Sequence, residues 1–284
     1  MKKIAVFTDL SEQSVHAARY AMHIAKRLKA GVTLFDVCLS PGSVKPVFQP
    51  VLVGGDNWDY DGGEPDGLIT MGAELTTYFE QHNFPGTVIP QINYDRNHEI
   101  ADVMSSIMNK DDILCIVMAP PDGHDVTSFA LSSNCQKIID WANVPVLIVP
   151  ANTAIRNPEK VAFAPNLDGY DNTYINSLLN VVGSFAPDVM VSCINNEGDD
   201  RQDKERKLMK SFHDDTDYGK LYYRRIADER VVREWNWLRE NKKCDMLAIV
   251  QQPLQSLKHF FKLANTHMAT YHLAIPLMVL PALR

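Results

Sequence analysis

Residues 112–139 read DILCIVMAPPDGHDVTSFALSSNCQKII. The first seven, Asp112 to Met118, form an apolar run without alternation, the pattern of a strand buried on both faces. The stretch from Asn134 to Ile139 reads as a helix. A connection running from Met118 to Ser133 joins them. Strand, loop and helix in that order make the unit of an α/β fold, and the loop at the strand's carboxyl end is where such folds often hold phosphate. Phosphate loops favour glycine, whose bare α-carbon lets main-chain N–H groups come close to an anion. This loop opens Ala119-Pro-Pro-Asp122 and contains one glycine, Gly123.

The same apolar run recurs later in the chain. Asp112-Ile-Leu-Cys-Ile-Val117 resembles Asp245-Met-Leu-Ala-Ile-Val250, an offset of 133. Lys3-Ile-Ala-Val-Phe-Thr-Asp-Leu10 resembles Lys160-Val-Ala-Phe-Ala-Pro-Asn-Leu167, an offset of 157. Pro145-Val-Leu-Ile-Val-Pro150 resembles Pro276-Leu-Met-Val-Leu-Pro281, an offset of 131. Repetition of three strand patterns in order predicts a tandem duplication. The drop in offset after the first pair requires extra residues in the first copy. Ser40 to Gly67 supplies them, as a long loop with Pro, Gly, Asp and apolar residues such as Phe48, Trp58 and Tyr60. Such a loop is expected either to cover the carboxyl edge of the sheet or to pack on a partner. The reading is therefore one domain over 1–150, a linker over 151–158 and a second domain over 159–284.

Each copy alternates strand and helix. In the first, Ile4–Thr8 reads as a strand, and Ser11 as the N-cap of a helix with Val15, Ala18, Met22, Ala25 and Leu28 inward. Gly31 fits just beyond that helix. Val32–Cys38 is the second strand, Glu74–Gln81 a helix, Thr87–Tyr94 a third strand with Pro90 marking an edge or bulge, and Glu99–Met108 a helix. The Asp112 strand, a helix Ser133–Trp141 and the strand Pro145–Val149 follow. The second copy reads Val161–Ala164, Tyr174–Val182, Val189–Ile194, Lys204–Ser211, Lys220–Ile226, Val231–Glu240, Met246–Val250, Lys258–His272 and Leu277–Leu280. Five strands with four intervening helices predict a doubly wound parallel sheet, so the expected fold is two such five-stranded sheets in tandem.

The chain has 284 residues and a net charge of −7. That balance argues against nucleic acid or an anionic membrane as the main partner, since both need a basic face. The opening Met1-Lys-Lys-Ile-Ala-Val-Phe-Thr-Asp9 carries too short an apolar run for a signal peptide, and no segment has the ~20 apolar residues of a membrane span. Five scattered cysteines without a CxxC read as reduced core thiols, which fits a cytoplasmic protein. His259, His267 and His272 lack the companions of a metal site. The Asp199–Asp203 and Asp214–Asp217 clusters flank a basic helix rather than follow a calcium-loop pattern. No Gly-x-Ser-x-Gly and no Walker-type Gly-Lys-Ser/Thr is present, so no catalytic nucleophile is nominated.

The opening strand ending in Asp9, Gly31-Val-Thr-Leu-Phe-Asp-Val37, the strand ending at Met118 and Val144-Pro-Val-Leu-Ile-Val149 together resemble the universal stress protein family, over nearly the whole chain as two family domains. The resemblance implies an adenine-nucleotide site. ATP-binding members carry Gly, two residues, Gly, nine residues, then Gly and Ser or Thr after the fourth strand. Laid on this chain, the glycines fall on Ala119, Asp122 and Ser132, and the final hydroxyl on Ser133. The spacing survives and the glycines do not. Pro120 and Pro121 remove two N–H donors, and Asp122 puts a carboxylate where phosphate belongs. Two or three lost charge-assisted bonds at ~1.5–3 kcal/mol each amount to ~3–9 kcal/mol, about two to six decades in affinity. Gly123, one position along, offers a slipped register, and Thr127, Ser132 and Ser133 remain able to meet an anion. Asp9 and Val37 match the family's adenosine contacts, by side chain and by backbone. The second copy has Asn166 in place of Asp9 and no glycine from Lys220 to Arg284.

The expectation is thus a non-catalytic, cytoplasmic stress-response protein that binds an unidentified protein or small molecule, without ATP as a cofactor. The alternative is an ATP- or AMP-binding switch that uses Asp9, Val37, Gly123, Ser132 and Ser133 of the first copy. The resemblance also implies self-association through the fifth strands, Pro145–Val149 and Pro276–Leu280, either between the two copies as a pseudo-dimer or between chains.

Overall fold

The computed structural model describes residues 1–37, 39, 66–83, 86–95, 99–121, 125–165, 173–195, 203, 206–211, 216–227, 244–251, 273 and 275–282. In chain order the elements are β1 (Lys3–Thr8), α1 (Glu12–Leu28), β2 (Gly31–Asp36), α2 (Gly67–Gln81), β3 (Ile92–Asp95), α3 (Ile100–Met108), β4 (Ile113–Met118), α4 (Val126–Ala130), α5 (Ser133–Trp141) and β5 (Val146–Ile148). There follow β6 (Lys160–Ala164), α6 (Thr173–Val182), a short 3₁₀ turn (Gly183–Phe185), β7 (Asp188–Asn195), β8 (Leu221–Ala227), β9 (Met246–Val250) and β10 (Leu277–Leu280).

The strands form one ten-stranded sheet in the order β3-β2-β1-β4-β5-β10-β9-β6-β7-β8. Read outward from the middle, each half winds the same way. This corrects the expectation of two separate sheets. The apolar fifth strands leave an unpaired row of N–H and C=O groups at each half's edge. β5 and β10 satisfy one another antiparallel, with Leu147 opposite Met278. All other pairings are parallel.

Alternation along the strands divides the core in two. Ile4 and Val6 of β1 join a cluster on one face with Ala17, Tyr20 and Ile24 of α1, Leu75 of α2, and Phe163, Ile175 and Leu178 from the second half. Ala5 and Phe7 join the other, with Val103 and Ile107 of α3, Phe129 of α4, Ile138 of α5, and Leu247 and Val279. Each cluster therefore draws on both halves. Phe7 and Phe35 meet edge to face, centroids 5.8 Å apart, a favoured aromatic geometry.

Several boundaries differ from the sequence reading. β3 begins at Ile92 rather than Thr87, because Pro90 has no N–H to give a ladder; Gln91 contributes only its carbonyl, to Val32 N at 2.7 Å. α2 starts at Gly67, seven residues early, capped by Asp66, whose carboxylate accepts Leu68 N–H. The residue that ends α1 is Lys29, at φ 52°, while Gly31 opens β2. α4 is an unexpected single helical turn within the loop after β4. Residues 206–211 are helical; the expected helices Val231–Glu240 and Lys258–His272, and the loop from Ser40 to residue 65, lie outside the described residues.

Candidate functional site

The parallel strands β1, β2 and β4 end together, and the loops beyond them build the site. Topology accounts for this, because a doubly wound sheet gathers its ligand-facing loops at the carboxyl ends of its strands.

The β1–α1 turn is held by hydroxyls. Thr8, fully buried, accepts the Leu10 N–H at its Oγ1 (2.9 Å) and shares a hydrogen bond with Ser14 Oγ (2.7 Å). These bonds hold Leu10 at φ 64°, the left-handed region costly for a branched residue. Its side chain seats against the first residue of α2: a Cβ on Gly67 would stand 2.4 Å from Leu10 Cδ1. The glycine is thus required by close approach, and the start of α2 lies over the β1–α1 turn.

Asp9, half-buried, turns inward to its own chain. Its Oδ1 accepts from Ser11 N (3.1 Å) and Ser11 Oγ (2.5 Å). Ser11 Oγ in turn accepts Ser14 N–H at 3.3 Å and caps α1. Val37, fully buried beyond β2, donates its N–H to Thr8 O at 2.9 Å. Asp9 and Val37 therefore follow paired residues at the carboxyl ends of neighbouring strands, β1 and β2.

On the β4 side, Ser132 is the N-cap of α5, its Oγ accepting Cys135 N–H at 3.4 Å. Ser133 is exposed in the first turn of that helix. Asn134 Nδ2 donates to Leu39 O at 3.2 Å, tying the β4 loop to the segment after β2. Gly123, with Asp122, lies outside the described residues. Asp125 is the residue that sequence reasoning overlooked. It caps α4, its Oδ1 accepting Thr127 N (2.8 Å) and Ser128 N (3.1 Å), its Oδ2 accepting Ser128 Oγ (2.6 Å). Asp ahead of Val-Thr-Ser is a capping signal that could have located it. Thr127 is buried, and its Oγ1 has no partner.

Cys115, Cys135 and Cys244 are all buried. Burial pushes the Cys115 and Cys244 thiols up to about 12 and raises Cys135 as well. At neutral pH all three are protonated and poor nucleophiles. Among the described residues no group of three or more His, Cys, Asp or Glu side chains is placed to hold a metal ion. Nor is any described helix long and apolar enough to cross a membrane.

Comparison with known proteins agrees with this architecture. The description "Universal stress protein family" matches residues 1–150. Among solved structures, a universal stress protein from Archaeoglobus fulgidus DSM 4304 superposes with a TM-score of 0.57 at 12% identity, over 98% of each chain. A putative universal stress protein from Pseudomonas aeruginosa UCBPP-PA14 gives 0.55 at 10% identity, over 99% of this chain and 93% of that one. A functionally unknown protein, PA1789 from Pseudomonas aeruginosa PAO1, gives 0.53 at 10% identity, over 99% and 92%. At these identities the likeness establishes the fold. No curated protein sequence matches the chain.

Proposed function

The chain belongs to the universal stress protein family, and from that premise we propose that it is a non-catalytic regulatory protein of a stress response, acting by binding and without tightly held ATP. The observation that carries this reading is the internal engagement of the groups the family resemblance nominates. Asp9 Oδ1 is taken by Ser11, the Val37 N–H by Thr8, and Ser132 Oγ by the start of α5. The α4 amides that follow the loop already face a carboxylate, Asp125. A triphosphate arriving there would meet that negative charge and two prolines without N–H donors. That charge and those missing donors disfavour a triphosphate at this loop.

We further propose two tandem family domains, 1–150 and 159–284, joined by 151–158. The pairing of β5 with β10 supports a pseudo-dimer closed within one chain. Each of these strands is flanked on both sides, so a second copy of the chain would associate through some other surface. The partner in the cell is then a protein or small molecule other than nucleic acid, met in the cytoplasm.

Titration of the full chain with fluorescently labelled ATP and Mg²⁺ tests the proposal. No saturable binding below about 1 mM is expected, given the decades of affinity removed with the loop's donors. Micromolar binding that disappears in Asp9→Ala overturns it in favour of the nucleotide switch. ATP turnover well above background overturns the non-catalytic part.

A further inference from the structure

The segment that joins the halves lies along α1 through histidines that no part of the proposed function uses. His16 and His23 are seven residues apart and so share a face of α1. His23 Nε2 donates to Asn157 Oδ1 at 2.9 Å, and its ring stacks on Phe185 of the 3₁₀ turn, centroids 6.0 Å apart. The Thr153 backbone lies close enough to His16 to favour its charged form. The His16 Nε2 is buried without a partner. Tyr20, between the two histidines, is buried and under the influence of Arg156 and Asp245. Arg27 donates to Ser184 O beside the same turn.

We propose that this seam is a proton-sensitive latch: residues 151–157 dock on α1 while His16 and His23 are neutral and release when the two imidazoles take up protons. The geometry dictates the direction. A proton on His16 would create a buried N–H at Nε2 with no acceptor, and a buried donor left unmade is expensive. The charged groups that act on the two rings are cations, Arg19 on His16 and Lys26 on His23. Arg19 is itself paired with Glu74 of α2 and lies over the Tyr78 ring, while Lys26 bonds Asn83. Across the seam, Arg156 is paired with Asp245. No unpaired carboxylate among these groups awaits an imidazolium.

Burial, and then the neighbouring cations, hold both imidazoles below their ordinary value despite the Thr153 backbone and the Asn157 bond, which favour charge. The undocked state therefore binds more protons. Docking is fully present above the ordinary imidazole value of ~6.5 and weakens as pH falls below it. At pH 5.5, each ring kept neutral by docking weakens the latch up to about tenfold.

Amide hydrogen exchange of the full chain at pH 7.5 and 5.5, normalised to intrinsic rates, reads the latch. Protection over residues 151–157 is expected to fall about tenfold or more at pH 5.5, with β4 residues 113–118 unchanged. In the double variant His16→Asn, His23→Gln, which keeps donors resembling Nδ1 and Nε2 but cannot titrate, the fall is expected to shrink below about twofold. Equal protection of the parent at both pH values, or an undiminished fall in the double variant, overturns the proposal. Imidazole NMR titration of the parent chain gives an independent reading, with the two signals assigned from the single variants. They are expected to titrate below the other histidines; titration together with the rest overturns the latch even if the double variant does not fold.

Discussion

Replacing Asp245 with alanine removes the clamp that fixes the joining segment to the second half. Asp245 immediately precedes β9, and its carboxylate accepts from Arg156 Nη2 (2.6 Å), Glu159 N (2.9 Å) and Lys160 N (3.0 Å). The two main-chain bonds position the start of β6. Hydrogen bonds to a charged group contribute ~1.5–3 kcal/mol each. Glu159 and Lys160 are exposed, so water reaches the freed N–H groups and the lower figure applies to each. Arg156 is 56% exposed in its side chain, which limits that ion pair to ~0–1 kcal/mol. The expected loss is about 3–4 kcal/mol for Asp245→Ala against less than 1 kcal/mol for Arg156→Ala. For a chain of this length ~2–3 °C accompanies each kcal/mol, so Asp245→Ala should lower Tm by about 6–12 °C. Calorimetry and urea unfolding of both variants provide the check. An Asp245→Ala loss no larger than that of Arg156→Ala would refute the assignment of the clamp to the main-chain bonds.

Gly72→Ala places a methyl 2.2 Å from Tyr94 Oη and 2.8 Å from a ring carbon; with Tyr94 exposed and able to shift, overpacking near the low end of ~1–3 kcal/mol cancels the ~1 kcal/mol gained in helix propensity, so urea unfolding should show no net gain until Tyr94→Ala is added, when a gain of ~1 kcal/mol is expected. Lys29→Gly relieves a left-handed residue at the end of α1 (φ 52°) while keeping its N–H bonds to Ala25 and Lys26 carbonyls; a gain of ~0.5–1 kcal/mol in urea unfolding is expected. Phe7→Ala empties one ring of the edge-to-face pair with Phe35 and should cost ~3–5 kcal/mol by the same measurement.

What was legible in the sequence was whatever rests on apolar pattern. β1, β4, β9 and β10 are continuous apolar runs, and each was located to within a residue or so. Thr87–Tyr94 was overextended because alternation there reflects a chain running up to the sheet rather than pairing with it. α2 was begun late because its first turn is glycine, leucine, isoleucine and threonine, residues of weak or mixed helix preference that the Asp66 cap and the packing of Gly67 on Leu10 override. The Asp9–Ser11 bond was half visible, since Ser11 read as an N-cap. Asp125 carries a legible capping signal, Asp ahead of Val-Thr-Ser, but the helix it caps is only five residues long, too short to show a helical period.

A fold of this kind and a phosphate-binding loop depend on different features, so a sequence can keep the one without the other. The fold needs volume and alternation; the site needs bare α-carbons and free N–H groups at a few loop positions. The two halves carry this separation into the core as well. The strand registers equate Lys3 with Lys160 and Gly31 with Asp188. Phe7 then corresponds to Ala164 and Phe35 to Ser192. The paired rings of the first half give way to a methyl group and a buried hydroxyl without a partner. The antiparallel pairing of β10 on β5 and the apolar side chains that the second half lends to both clusters complete the sheet and its two faces without reproducing that aromatic pair.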